Sequence, residues 1–153
     1  MANYKPAEDG LSKYFFAMLD DKDRNTRYGR AIQAAISDFS DEQGRAPRVL
    51  DVGVGTGMLS ALCLEHGCEH VTGIDVNNTM VQLASTHLAK LDPRRSRHTV
   101  LFVQKGKPPF ADGEMFDMLV RCARRNRGGA RNSCGRGEDL TEKGRLAIVH
   151  EAL

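Results

Sequence analysis

The chain has 153 residues, with 22 basic and 20 acidic side chains and a formal net charge of +2. That length suffices for one domain with one sizeable core, and the near balance of charge excludes a polycation built to coat nucleic acid along its whole length. No apolar run approaches the ~18–20 residues of a membrane span, and the N-terminus, MANYKPAEDG, lacks the apolar core of a signal peptide. The cysteines, Cys63, Cys68, Cys122 and Cys134, show no spacing typical of secreted disulfide scaffolds. The expected location is the cytoplasm or the nucleus, with no membrane partner.

Residues 1–10 are polar. Leu11, Tyr14, Phe15, Met18 and Leu19 follow helical spacing and predict a first helix over Leu11–Leu19. The polar stretch DDKDRN then reads as a turn. Tyr28, Ala31, Ile32, Ala35, Ile36 and Phe39 share one face of a second helix, from about Arg24 to Phe39. Ser40–Arg45 reads as a polar loop, and Pro47 marks the approach to a strand over 48–52. Three glycines at alternate positions, Gly53, Gly55 and Gly57, come next, and Met58, Leu59, Ala61, Leu62 and Leu64 resume with a helix-like repeat. A second strand ends in Asp75. Met80, Leu83, Ala84, His87, Leu88 and Leu91 make a further amphipathic helix, closed by Asp92–Pro93. Strands over 99–104 and 115–120 follow.

This order predicts an α/β sandwich with a mainly parallel sheet, preceded by two helices. It divides into an N-terminal helical segment (1–45), a cofactor-binding core (46–120) and a basic C-terminal segment (121–153). Ligand belongs at the C-terminal ends of the strands, beside Gly53–Gly57. Glycine has no Cβ, so backbone there can close on a ligand, and the helix behind it offers free N–H groups. A dinucleotide turn wants G-x-G-x-x-G; Met58 stands where that spacing needs glycine, which makes an NAD site the weaker reading.

The run D-x-G-x-G-x-G over Asp51–Gly57 resembles the first motif of the class I S-adenosylmethionine-dependent methyltransferases, whose fold is a Rossmann-like sandwich. The resemblance implies S-adenosyl-L-methionine as cofactor, with Asp51 near its ammonium, Gly53, Gly55 and Gly57 forming the cradle with it, and Asp75 at the ribose; Thr56 and Val76 are further implied cofactor contacts. An acid about 20 residues past a glycine turn is also suited to ribose hydroxyls on chemical grounds. M-L-D-D-K-D-R-N-T-R-Y with A-I-Q-A-A-I is similar to the N-terminal helices of the protein arginine methyltransferases, most of all the monomethylating type III branch. That likeness places Met18 near the sulfonium and Arg24 at the cofactor carboxylate, a task suited to a planar donor fork. Gln104–Lys107 looks like the family loop past the adenine, which adds Gly106 and Lys107 to the implied contacts. The likeness covers about residues 11–120.

Arginine methylation needs acids. A guanidinium stays charged at any ordinary pH, and the family holds it with two glutamates on the loop after the strand that here ends at Val120. This sequence has Arg121, Cys122, Ala123, Arg124, Arg125, Asn126 and Arg127 there, and no acid before Glu138. A row of arginines repels such a substrate. The family's β-barrel and dimerisation arm are also missing from the stretch. The expectation is therefore a truncated, methyltransferase-like chain, inactive alone, with no catalytic residue of its own. Its partners would be an arginine-containing protein substrate by resemblance, and a full-length homologue or other stabilising partner. A small class I methyltransferase with another acceptor, and a pseudoenzyme or basic binding module, remain as alternatives.

Two accounts of residues 121–153 stand. The abrupt turn to Arg, Gly, Asn and Cys favours a foreign or scrambled tail. Gly144–Val149 instead resembles a fifth methyltransferase strand after a glycine turn. Arg124, Arg125, Arg127, Arg131 and Arg136 can meet nucleic-acid phosphates, but no aromatic residue interleaves for base stacking. Cys63, His66, Cys68 and His70 carry zinc-ligand chemistry at a spacing that matches no familiar finger, so core cysteine and loop histidine are the expected roles and no metal is assigned. His98 and His150 have no evident sequence partner.

Overall fold

The computed structural model describes residues 19–104, 110, 114–122 and the backbone of 147–149. Met18, Gly106, Lys107, most of the first expected helix and residues 123–146 lie outside the described residues. Helix α1 spans Lys22–Gln43. It begins two residues earlier than expected, because the Asp21 carboxylate caps it by accepting from the Arg24 amide at 3.0 Å. It also absorbs the expected loop at its far end. Asp41–Gln43 stay helical, and Gly44 stops the helix in the left-handed region (φ 67°), its amide returning to Ser40 O at 2.8 Å.

Strand β1 (Arg48–Val52) leads through the glycine turn into α2 (Met58–Glu65). Strand β2 (His70–Asp75) leads into α3 (Asn78–Leu91), whose start is capped by the Asn77 side chain accepting from Thr79 N and Met80 N. Strands β3 (His98–Phe102) and β4 (Met118–Val120) follow. Strand β4 is shorter than the expected 115–120. Asp117 is drawn off to the start of β1, where its Oδ2 accepts from Arg48 N at 2.8 Å, and Met115 is exposed. A fifth strand, β5 (Ala147–Val149), pairs with β4, so the element required by the second account of the tail is present. The sheet order is β3-β2-β1-β4-β5, and every pairing is parallel. The chain winds outward from β1 in one direction and then returns to its other side, which leaves a crevice at the strand C-terminal ends.

One face of the sheet holds the core. Tyr28, Ile32 and Ile36 make a stripe along α1, and with Leu59, Cys63 and Leu64 of α2 and Leu88 of α3 they pack on Val49, Val71, Met118 and Val120. Cys63 and Cys68 are buried in this cluster as packing residues. Side chains alternate along a strand, so Asp51 points to the same face as Val49. A carboxylate is thereby carried to the end of an apolar row.

His98 does have a partner, unseen in sequence: its Nδ1 lies 3.1 Å from Asp92 Oδ2. Asp92 caps α3 and also accepts from Arg97 N at 2.8 Å, so the turn between them folds back on itself. The pair sits at the start of β3, the end of the sheet away from the glycine turn. Among the described residues, no helix is long and apolar enough to cross a membrane.

Candidate cofactor site

The glycine turn is anchored in two halves. In the first, Gly53 N and Val54 N both donate to Ile74 O at 2.9 Å, and Gly55 N donates to Asp75 Oδ2 at 3.0 Å. In the second, Gly57 N donates to Val54 O at 2.8 Å, and the Thr56 carbonyl lies 3.0 Å from His87 Nδ1. Gly53, Gly55 and Gly57 all have positive φ, at 78°, 53° and 81°. Gly57 is constrained twice over. Its φ disfavours any side chain, and a Cβ there would stand 3.3 Å from both Cα and Cβ of Ala84. A glycine outside the turn, Gly73, is equally constrained. It pairs in register with Asp51, and a Cβ on it would stand 2.6 Å from Val54 Cγ2. The turn lies down on β2 because Gly73 is bare.

Asp51 is the chemical centre of the described site. It is 1 % exposed. Its Oδ2 accepts from Ser60 Oγ at 2.7 Å, and Oδ1 has no hydrogen-bond partner among the described residues. Burial pushes its pKa up from 3.8 to about 6; the Ser60 hydrogen bonds oppose this and the Asp75 charge adds to it. A buried carboxylate oxygen without a donor is costly. It is relieved by a proton or by a cation.

Asp75 sits at the rim where β2 ends. Its Oδ1 accepts from Asn77 N at 2.9 Å, complementing the Gly55 contact on Oδ2. An ionised carboxylate has about four acceptor positions, so each oxygen retains room for a further donor. Val76 is 66 % exposed, and Phe102, the register partner of Asp75 on β3, is 48 % exposed. Apolar surface therefore flanks the acid on two sides.

Arg24 comes to the same end of the sheet from α1. Its Nη2 donates to Cys122 Sγ at 2.6 Å, just past β4, and its guanidinium lies 5.2 Å from the Tyr28 ring centroid. The structure thus gathers Arg24, Asp51, the glycine turn, Asp75 and Val76 at one rim. Ser60, His87, Gly73 and Phe102 were not singled out from the sequence. Only Gly73 left a local signal, a bare position inside an otherwise β-prone strand.

A glycine turn joining the first strand to its helix, an acid at the tip of the next strand, and a doubly wound parallel sheet define a nucleotide-cofactor domain of the Rossmann-like class. The chain belongs to the methyltransferase-domain family, whose model matches residues 49–126. It is similar to protein arginine N-methyltransferase 7 of Danio rerio, 43% identical over 68 residues that cover 44% of this chain and 10% of that protein. It is similar to protein arginine N-methyltransferase 7 of Drosophila erecta, 39% identical over 111 residues that cover 69% of this chain and 16% of that protein. Among solved structures, the Trypanosoma brucei PRMT1 enzyme–prozyme heterotetrameric complex with AdoHcy superposes with a TM-score of 0.60 at 24% identity, over 75% of this chain and 33% of that one. The expected Rossmann-like fold and the resemblance to arginine methyltransferases hold. The chain spans only 10% and 16% of the length of those two curated relatives.

Proposed function

We propose that this chain is a cofactor-binding part of a protein-arginine N-methyltransferase-like protein, and that it binds S-adenosyl-L-methionine at the rim between the glycine turn and Asp75. The observation that carries this reading is Asp51 Oδ1, buried and without a donor among the described residues beside a glycine turn. An amino-acid ammonium is a donor of the right charge for it. Asp75 then accepts from ribose hydroxyls with its remaining lone pairs. Val76 and Phe102 offer apolar surface to the base, and Arg24 offers a guanidinium to the carboxylate. The names of the relatives, and the AdoHcy in the trypanosomal complex, support the same cofactor. Met18, Gly106 and Lys107 join the site by resemblance alone.

The bound cofactor supplies a methyl group on a sulfonium. Delivering it to arginine requires a site that holds and orients a cation. After Val120 the chain presents Arg121 and Cys122, and the sequence adds Arg124, Arg125 and Arg127. The arginines repel a guanidinium. With this basic stretch in the place of acids, the chain binds cofactor and methylates arginine poorly or not at all by itself. Calorimetry with S-adenosyl-L-methionine tests the first part, and a heatless titration refutes it. A radiolabelled methyl assay on arginine-rich peptides tests the second, and robust turnover by the purified chain refutes that.

A further inference from the structure

The second half of the glycine turn rests on α3, and three residues of that helix make its seat. Ala84 and Leu88 lie one helical turn apart and face Gly57: a Cβ on Gly57 would stand 3.3 Å from Ala84 and 3.5 Å from Leu88 Cγ. His87, between them, reaches the Thr56 carbonyl with Nδ1 at 3.0 Å. Thr56 precedes the N-cap of α2, Gly57, whose own carbonyl accepts from Ala61 N at 2.8 Å. The Thr56 carbonyl lies outside the helical ladder, and His87 is what meets it.

A carbonyl oxygen only accepts, so His87 Nδ1 must carry the proton. The peptide group between Thr56 and Gly57 is then held at both ends. Its carbonyl is bound by His87, and its N–H donates to Val54 O at 2.8 Å. A peptide that leads into a left-handed glycine, one residue past another, has little intrinsic reason to keep one orientation.

We propose that His87 is a positioning residue for the cofactor: it fixes the Thr56–Gly57 peptide and so sets the far wall of the cradle whose near wall is set by Asp75. Nothing in its sequence context marks this role, since His87 sits among the apolar positions of an amphipathic helix. The cofactor part of the inference rests on the function proposed above, while the latch itself is independent of it.

The test uses the full chain. In ligand-free protein, hydrogen exchange at the Gly55 and Gly57 amides is expected to quicken roughly five- to tenfold in His87→Phe, the equivalent of one lost hydrogen bond, while Leu50 and Val71 in the sheet keep their protection. His87→Asn carries Nδ2 at the same reach from Cβ as the imidazole Nδ1, and is expected to restore slow exchange. With S-adenosylhomocysteine as probe, His87→Phe is expected to bind roughly five- to tenfold more weakly, and His87→Asn within about twofold of the unaltered chain. Nitrogen NMR of the unaltered chain, which needs no variant to fold, is expected to find neutral His87 protonated on Nδ1. A proton on Nε2 instead, unchanged exchange in His87→Phe, or His87→Asn as impaired as His87→Phe overturns the latch. Failure of the unaltered chain to bind S-adenosylhomocysteine overturns the cofactor role together with the proposed function, and the exchange result then still decides the latch.

Discussion

The Asp75 carboxylate accepts from the Gly55 amide at 3.0 Å across a sequence separation of 20 residues. This contact turns two distant sequence marks, a glycine run and a strand-terminal acid, into one object. The acid orients the turn, and the turn holds the acid at the rim. Removing the carboxylate therefore has two consequences. Asp75→Ala releases Gly55 N and deletes the proposed ribose acceptor, and is expected to weaken S-adenosylhomocysteine binding by roughly 10- to 100-fold in calorimetry. Asp75→Asn keeps oxygen on one side only and is expected to fall between. Equal affinities for all three chains would show that no sugar is held there.

Asp51 predicts a pH dependence of folding. Its folded-state pKa is raised to about 6 from 3.8. Between those values the folded chain binds more protons at this site than the unfolded chain, so stability falls as pH rises through the window. The favourable contribution is fully present below about pH 4 and lost above about 6, with a span of about 3 kcal/mol. Asp51→Asn has no such proton. Urea unfolding of both ligand-free chains from pH 4 to 7 is expected to show the stability of the unaltered chain relative to Asp51→Asn falling by that order as pH rises. A constant difference between the two would remove the buried-acid account.

In the proposed cofactor complex the same proton competes with the ammonium at Asp51. Below about pH 6 Asp51 is neutral, and affinity for S-adenosylhomocysteine is expected to fall by about tenfold per pH unit, levelling off above it. Calorimetry in two buffers of different ionisation heat should detect proton release on binding near pH 5.5. The Asp51→Asn chain should show neither the slope nor the release. A titration curve indifferent to pH between 4.5 and 7 contradicts the placement of the ammonium.

Gly73 and Gly57 are predicted to be intolerant for different reasons. In Gly73→Ala the new Cβ meets Val54 Cγ2 at 2.6 Å and Val54 Cβ at 3.0 Å, so Val54 must shift and disturb the turn that carries it. The expected cost is about 1–3 kcal/mol of stability together with loss of cofactor affinity. Gly57→Ala combines a φ of 81° with contacts of 3.3 Å at Ala84, and is expected to cost a similar amount or more. Thermal melts and calorimetry on each chain check this. Wild-type affinity in Gly73→Ala would mean that the turn does not need its seat on β2.

A clip at the other end of the sheet serves as a control. Arg45 holds Asp117 through both terminal guanidinium nitrogens, Nη1 and Nη2, at 2.8 and 2.7 Å, and Asp117 also accepts from Arg48 N. The Arg45 hydrogen bonds hold the Asp117 pKa below its ordinary value. Its stabilisation is therefore present above about pH 4 and lost as pH falls through the lowered folded pKa. Asp117→Ala is expected to lower stability at neutral pH by about 1–2 kcal/mol and to leave S-adenosylhomocysteine affinity unchanged. A matching fall in affinity would show that the two ends of the sheet are coupled.

What the sequence determined by itself was whatever depends on near neighbours. Strand alternation, helical spacing, the glycine turn and the acid ending β2 are patterns over a few residues, because backbone conformation and amphipathicity are set locally. The helix ends moved where capping groups, Asp21 and Gly44, outweighed the apolar stripe. The tertiary structure alone decided the company each group keeps. Asp51 meets Ser60 because side-chain alternation turns it beneath α2; Arg24 meets Cys122 across a separation of 98 residues because α1 packs over the strand ends. His87 meets Thr56 because α3 lies against the turn. Those meetings follow from the order of strands in the sheet and from which helix crosses which face. Long-range packing energies decide that order, and no local run of residues records it.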